Sequence, residues 1–479
     1  MMKPQNSFCI LVLCLLLAAC GTAQPAPMPT EIAQVQVTDT PVLPTATATT
    51  LLVTNTATPT ATIVSPTETA TPLPTSTITP VPTTLPTSLP IGHIYFMWDS
   101  KPLPQSELSM DEPVQNLYVA KLDLATDEWL IEPVLTELVG WPYIQLSPDK
   151  TKFLLTILED RNNDGQVSVD GYNRGFDGIN VYTYTLDDQV FTPITSSFPV
   201  IFNPFWRSDN RTIVFGQSTK EISFLNTETG VVEIIRTYPE QTRWIDLSPD
   251  SQFIALNFDS IQISFLDLQT KNDITITNEI GGIGVDRAWS SDGAWLFLGQ
   301  PFTNRYMLVD VSTFETYTLS PANSILNPVW SPNNQQMSFV QEVSDGTQLM
   351  LLDPISLTTQ QLLNTSGRIH YTLWSPNGQY IAVVIADDEK FSLVVFDVIT
   401  GMGHELWQSS DSKRFYIPSW SPDNQWLLFF DGQGWSPGKG DHAGLYAIHR
   451  DGGVAKLILD TSGTYDPYGF YWLPETETR

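Results

Sequence analysis

Cysteine is nearly missing from this chain: Cys9, Cys14 and Cys20 are the only three in 479 residues, and all fall within the first twenty. Beyond residue 20 there is therefore no thiolate set for a structural zinc site and no redox pair. A chain this long buries enough surface to fold without disulfides. Basic residues are scarce too, with 23 Lys and Arg against 52 Asp and Glu and a formal charge of −29. That field repels nucleic acid and anionic headgroups and favours cations or basic partners. The five histidines, His93, His370, His404, His442 and His449, include no pair at the spacing of a metal-binding helix. The acid pairs Asp187-Asp188 and Asp387-Asp388 sit among turn residues, where such a pair is a solvated tip and not an acid/base couple.

The longest apolar run of the N-terminus, residues 8–17, is too short to span a bilayer as a helix. With Lys3 before it and small residues after it, the run has the form of an export signal. The sequence Leu17-Ala18-Ala19-Cys20-Gly21 resembles the bacterial lipoprotein signal. That resemblance implies a signal peptide over residues 1–19, lipidation of Cys20, and an extracytoplasmic location anchored to the bacterial cell membrane. An ordinary secretory peptide cut near Ala19 or Ala23 is the alternative.

In the stretch 22–90 about half the residues are Thr or Pro, Lys and Arg are absent, and the acids are Glu31, Asp39 and Glu68. Such a composition cannot offset its ordering entropy by burial, so residues 20–90 are expected to form an extended, solvated tether. At roughly 3.1 Å per residue it would reach about 200 Å.

From residue 91 onward a turn motif recurs. It reads Leu146-Ser-Pro-Asp, Trp206-Arg-Ser-Asp-Asn, Leu247-Ser-Pro-Asp, Trp289-Ser-Ser-Asp-Gly, Trp330-Ser-Pro-Asn-Asn, Trp374-Ser-Pro-Asn-Gly and Trp420-Ser-Pro-Asp-Asn, at spacings of 60, 41, 42, 41, 44 and 46 residues. Each anchor is followed by three strand-like runs, as in Tyr380-Ile-Ala-Val-Val-Ile, Phe391-Ser-Leu-Val-Val-Phe-Asp and His404-Glu-Leu-Trp. Four short strands per forty-odd residues predict the blades of an all-β propeller.

The ends set the count. Ile94-Tyr-Phe-Met, Leu117-Tyr-Val-Ala and Trp129-Leu-Ile-Glu supply three strands without an anchor, and Gly469-Phe-Tyr-Trp-Leu supplies an anchor strand with no unit after it. Together they make one composite blade, which would remove two exposed sheet edges. Eight blades over residues 91–474 are expected, with a short tail at 475–479. An irregular unit, of which the 60-residue interval is the obvious suspect, would lower the count to six or seven.

The anchors resemble the TolB-like, WD-type repeats of exported bacterial propellers, and the eight-blade count is similar to the N-terminal propeller of the dipeptidyl peptidase IV family. Where TolB carries a separate α/β domain, this chain has the Thr/Pro segment. Repeated anchors build the platform and single out no face.

Two motifs stand apart from the repeat. In the long interval, Asp160, Asn162, Asp164, Gln166 and Asp170 alternate around Gly165 as oxygen ligands do in a calcium loop, with Ser168 adding a hydroxyl or water contact. The twelfth loop position is Gly171, so the acid at Asp170 comes one residue early for an EF-hand. A structural calcium ion is one expectation, and an Asn/Asp/Gly-rich hairpin tip the other. The second motif, Gly434-Trp-Ser-Pro-Gly438, matches G-x-S-x-G, but Pro437 has no N–H to give an oxyanion hole. Trp435 is expected as a loop contact for a ligand.

These features point to a non-catalytic binding or scaffold module for a protein, peptide or glycan. The alternatives are a metal-dependent hydrolase or lyase working in the propeller channel, and a TolB-like structural component of the cell envelope.

Overall fold

In a computed structural model, the residues described are 78–79 and 92–475, except 100–113, 124–125, 140–142, 160–177, 195–200, 218–219, 259–261, 278–285, 301–303, 320–323, 388–389, 410–413, 433–442, 463 and 465. They form eight sheets of four antiparallel strands, one of which takes a fifth, parallel strand from Ile78–Thr79, and, among the described residues, no helix. We letter the strands of each blade a to d from the propeller axis outward.

Blade 1 takes strand a from the C-terminus, Tyr468–Leu473, and strands b to d from His93–Trp98, Val114–Asp123 and Glu128–Val139. Blade 2 is Tyr143–Leu146, Lys152–Glu159, Gly178–Thr185 and Phe191–Pro193; blade 3 is Ile201–Trp206, Thr212–Gln217, Glu221–Asn226 and Val232–Thr237. Blade 4 is Trp244–Leu247, Phe253–Asn257, Gln262–Asp267 and Asp273–Thr277; blade 5 is Asp286–Trp289, Trp295–Gln300, Arg305–Asp310 and Glu315–Leu319. Blade 6 is Ile325–Trp330, Met337–Val343, Gly346–Leu352 and Thr359–Thr365; blade 7 is Arg368–Trp374, Tyr380–Ala386, Phe391–Asp397 and Gly403–Ser409. Blade 8 is Arg414–Trp420, Trp426–Gly432, Gly444–His449 and Lys456–Asp460. Strand a of one blade lies beside strand a of the next at six boundaries, and side-chain contacts of Gln145 and Asp246 join the inner strands at the blade 2–3 and 4–5 boundaries.

Both faces of a blade are covered by its neighbours, so strands b and c are continuous apolar runs in place of alternating ones. Tyr380–Ala386 buries all five of its central residues, and Trp426–Gly432 its first five. Cores form between blades: Phe297, Tyr306 and Leu308 of blade 5 pack on Ile325, Trp330 and Phe339 of blade 6. Each such fully buried aliphatic or aromatic side chain contributes roughly 1.5–3 kcal/mol relative to exposure. Strand d is less buried, as in Val232–Thr237, none of whose residues is fully buried.

The composite blade closes as the sequence predicts. Strand His93–Trp98 pairs antiparallel with Tyr468–Leu473, with His93 opposite Leu473, Tyr95 opposite Tyr471 and Met97 opposite Tyr468. Gly92 enters this strand at φ +105°, and a Cβ there would lie 2.2 Å from the Leu473 carbonyl oxygen. Only glycine fits.

The anchor tryptophans stitch blade to blade. Trp330 Nε1 donates to Ala288 O at 2.9 Å, Trp374 Nε1 to Val329 O at 3.2 Å and Trp420 Nε1 to Leu373 O at 3.1 Å. In each case the acceptor immediately precedes the anchor of the previous blade. The closing boundaries use tyrosines instead: Tyr416 donates its hydroxyl to Pro467 O and Tyr471 to Ile144 O.

Antiparallel order puts the a–b and c–d connections on one face and the b–c and d–a connections on the other. We call them the turn face and the loop face. On the turn face the Ser of the repeat is buried and bonds twice: Ser421 Oγ donates to Asp423 Oδ1 at 2.5 Å and accepts Trp426 N–H at 2.8 Å. Ser147, Ser248, Ser290, Ser331 and Ser375 repeat the donation to the Asp or Asn two residues on. In blade 3 Arg207 replaces the Ser, and Asp209 Oδ1 takes the N–H groups of Arg211 and Thr212.

The fourth turn residue is left-handed in all seven anchored blades: Lys150, Asn210, Ser251, Gly293, Asn334, Gly378 and Asn424, with φ between 58° and 75°. That requirement explains the Asn and Gly of the motif.

Candidate functional site

Every site residue predicted from the sequence falls outside the described residues. Cys20, the loop residues Asp160, Asn162, Asp164, Gln166 and Asp170, and Trp435 are all in that category. The fold does place the ends of their segments. Residues 160–177 join strands b and c of blade 2, and residues 433–443 join strands b and c of blade 8. Both connections therefore start and finish on the loop face. Among the described residues, no three His, Cys, Asp or Glu side chains gather into a group that could hold a metal ion.

What the described residues bring together is a polar group on the inner strands. Asp246 precedes the blade 4 anchor and Arg287 lies two before the blade 5 anchor. Their Oδ2 and Nε approach to 3.7 Å, with the guanidinium 4.5 Å from the centre of the Trp244 ring. Burial pushes the Asp246 carboxyl up to about 6, against the opposing pull of Arg287. Burial likewise draws the Arg287 guanidinium below its usual range and raises the Asp286 carboxyl. Tyr143, on the inner strand of blade 2, has its hydroxyl raised by burial and then by the charge of Asp246.

The pair also has a structural task. At the blade 4–5 boundary the Trp289 indole N–H makes no hydrogen bond, so the stitch seen at the next three boundaries is absent. The Asp246–Arg287 contact spans that boundary in its place. Blades 2 and 3 use a similar substitute, since Gln145 Oε1 accepts the Trp206 backbone N–H at 3.1 Å. Gln145 and Asp246 occupy the same position relative to their anchors.

Nearer the loop-face mouth, the inner strands expose Tyr143 (44%) and Tyr371 (41%) together with Asp286, Asn327, Arg368 and His370. Burial, followed by the charge of Arg368, holds the His370 imidazole below its ordinary value, so it is neutral at pH 7. His370 packs edge-on to Phe391 at 5.6 Å, and Asn327 Nδ2 donates to its backbone carbonyl. Two aromatic rings, an amide, a guanidinium and a neutral imidazole can hold a ligand by stacking and hydrogen bonding. Further out on this face, Lys220, Pro239, Glu240 and Gln241 line an open depression of about 370 Å³.

The sequence reading took His370 as one of five histidines without metal-binding spacing, and the structure sets it on strand a of blade 7. It missed Asp246, Arg287 and Tyr143. The available clue was a charged residue inside an anchor strand, in Trp244-Ile-Asp246-Leu and Asp286-Arg287-Ala-Trp.

No family model and no curated protein matches this sequence. Solved structures do match in shape. A eukaryotic initiation factor superimposes with a TM-score of 0.55 at 14% identity, over 81% of this chain and 100% of that one. Porphyromonas gingivalis dipeptidyl peptidase 4 gives 0.49 at 9% identity, over 73% of this chain and 60% of its own. A putative TolB from Agrobacterium tumefaciens gives 0.32 at 17% identity, over 52% and 91%. The chain is an eight-bladed β-propeller. At 14% identity the likeness to the initiation factor carries the fold and nothing of the chemistry.

Proposed function

We propose that this protein is a lipid-anchored, extracytoplasmic propeller that binds a protein, peptide or glycan on its loop face, without catalysing a reaction. The supporting observation is the division of labour between the faces. The turn face caps itself with its own hydrogen bonds, whereas the loop face exposes Tyr143, Tyr371, Arg368 and His370 at the channel mouth. Exposed aromatics held on a rigid scaffold are the usual anchors of recognition. The 160–177 connection opens from the same face, and in this proposal Asp160, Asn162, Asp164, Gln166 and Asp170 hold a structural calcium ion that stiffens it. Cys20 carries the lipid, and the strongly acidic surface selects neutral or basic ligands over nucleic acid.

The test uses full-length protein in detergent micelles against arrays of peptides and oligosaccharides, with calcium or with chelator. Binding should be lost in Tyr143→Ala or Tyr371→Ala and retained in the turn-face variant Asn333→Ala. Turnover of an array component that depends on a single propeller residue would overturn the non-catalytic proposal. Equal binding in the loop-face variants would overturn the location. Calcium is read separately by titration calorimetry, where an Asp160→Asn/Asp164→Asn double variant should show no heat of binding. Radiolabelled fatty acid should enter the protein and not its Cys20→Ala variant.

A further inference from the structure

Seven of the eight sheets have four strands, and blade 7 has a fifth. Ile78–Thr79 pairs with the outer edge of strand d in parallel, Ile78 opposite Gly403 and Thr79 opposite His404. These two residues lie inside the Thr/Pro stretch that composition assigns to a solvated tether. They end a run, Thr75-Ser-Thr-Ile-Thr79, that has no proline and is bounded by Pro74 and Pro80. Proline cannot donate to a ladder, so such a run is a place where this segment can add to a sheet, and Thr and Ile suit a strand.

Blade 7 offers a matching edge. The turn before its strand d leaves Ile399 83% and Met402 61% exposed, and Met402 immediately precedes the register partner of Ile78. Gly403 has no side chain, because a Cβ there would lie 2.3 Å from the Phe396 ring. An incoming strand therefore meets open backbone beside apolar surface. An unpaired outer edge is otherwise a template for pairing with other chains.

We propose that the outer edge of blade 7 is a strand-addition site whose occupant is the chain's own Ile78–Thr79, and that this pairing straps the tether to the rim of the propeller. Gly92, where the propeller begins, is about 13 residues further on, a reach of at most about 45 Å at full extension. The strap moves the point where the tether leaves the propeller from closing blade 1 to blade 7. Tension arriving along the chain from its N-terminal side then meets the pairing at 78–79 before it reaches strand His93–Trp98. The strap also covers an edge that would otherwise be open to strand exchange.

The test is amide hydrogen exchange on the full-length protein and on an Ile78→Pro variant, which removes one N–H and disfavours the strand. Exchange at residues 403–406 should accelerate about tenfold or more in the variant, while strand d of blade 6, Thr359–Thr365, stays unchanged. A Thr79→Cys/His404→Cys pair in a Cys20→Ala background gives a second measurement. It should oxidise to an intramolecular disulfide, whereas Thr79→Cys/Thr318→Cys, aimed at blade 5, should not. Unchanged exchange in Ile78→Pro, or equal oxidation of both cysteine pairs, would overturn the proposal.

Discussion

The two faces of the propeller are built from the same eight sheets and obey different rules. On the turn face nearly every connection closes on a side-chain oxygen. The a–b turns do so through Ser and Asp or Asn, and the c–d turns through Asp123, Asn226, Asp267, Asp310, Asp353 and Asp397, which accept from a hydroxyl or N–H two or three residues on. Neighbouring turns are joined as well. Asp149 N–H donates to Asn210, Ser208 N–H to Ser251, Asp292 N–H to Asn334 and Asn377 N–H to Asn424. Where the left-handed residue is Gly293 or Gly378, the side chain of Asp250 or Asn333 from the previous blade fills the space. On the loop face the b–c connections differ in length, from residues 344–345 in blade 6 to residues 160–177 in blade 2. A face whose polar groups satisfy one another has little left for a ligand, and a face of unequal loops can differ at every blade.

The comparison is broken most severely at the closure. Gly92→Ala should lose at least about 3 kcal/mol, because the new Cβ meets the Leu473 carbonyl in a conformation that alanine resists. Urea denaturation should show a lower midpoint, and limited proteolysis should release the C-terminal strand first. Ser421→Ala on the turn face should cost about 1–3 kcal/mol, since Trp426 N–H and Asp423 lose their buried partner. The same measurement on a loop-face substitution, Tyr371→Ala, should change stability by no more than about 0.5 kcal/mol while abolishing ligand binding.

Between these lies the channel pair. The Asp246 carboxyl titrates higher in the fold, at about 6, than in the unfolded chain. The folded state therefore binds more protons than the unfolded state between pH 4 and 6, and stability falls as pH rises through that window. The cost of keeping Asp246 ionised is fully present above it, on the order of 3 kcal/mol. Asp246→Asn should flatten the pH dependence of unfolding between 4 and 6, as measured by urea titrations at each pH. A smaller change is expected of Trp420→Phe, which keeps one aromatic ring of a buried indole and loses the N–H to Leu373 O, for at least about 1 kcal/mol.

The repeat was readable in one dimension because each turn is a local device: Ser, Pro, Asp and a left-handed Asn or Gly act within six residues. The D-x-x-T/S pattern of the c–d turns, as in Asp397-Val-Ile-Thr400, was equally local and went unused in reading the sequence. The channel pair was not readable, since Asp246 and Arg287 stand 41 residues apart and meet only when blades 4 and 5 pack. Nor was the fifth strand of blade 7. Nothing in Thr75-Ser-Thr-Ile-Thr79 names its partner, and the edge it joins lies more than 300 residues away.

By itself the sequence determined the all-β class, the blade period and the closure of the last strand against the first three, and it favoured a count of eight over six or seven that the structure then settled. All of these follow from local turn chemistry, hydrophobic runs and the need to pair open edges. The tertiary structure decided which face is spent on its own hydrogen bonds, which charges share the channel, and where the Thr/Pro segment meets the rim. Those depend on side chains and strand edges brought together by the curvature of the ring, a distance relation that no spacing along the chain encodes.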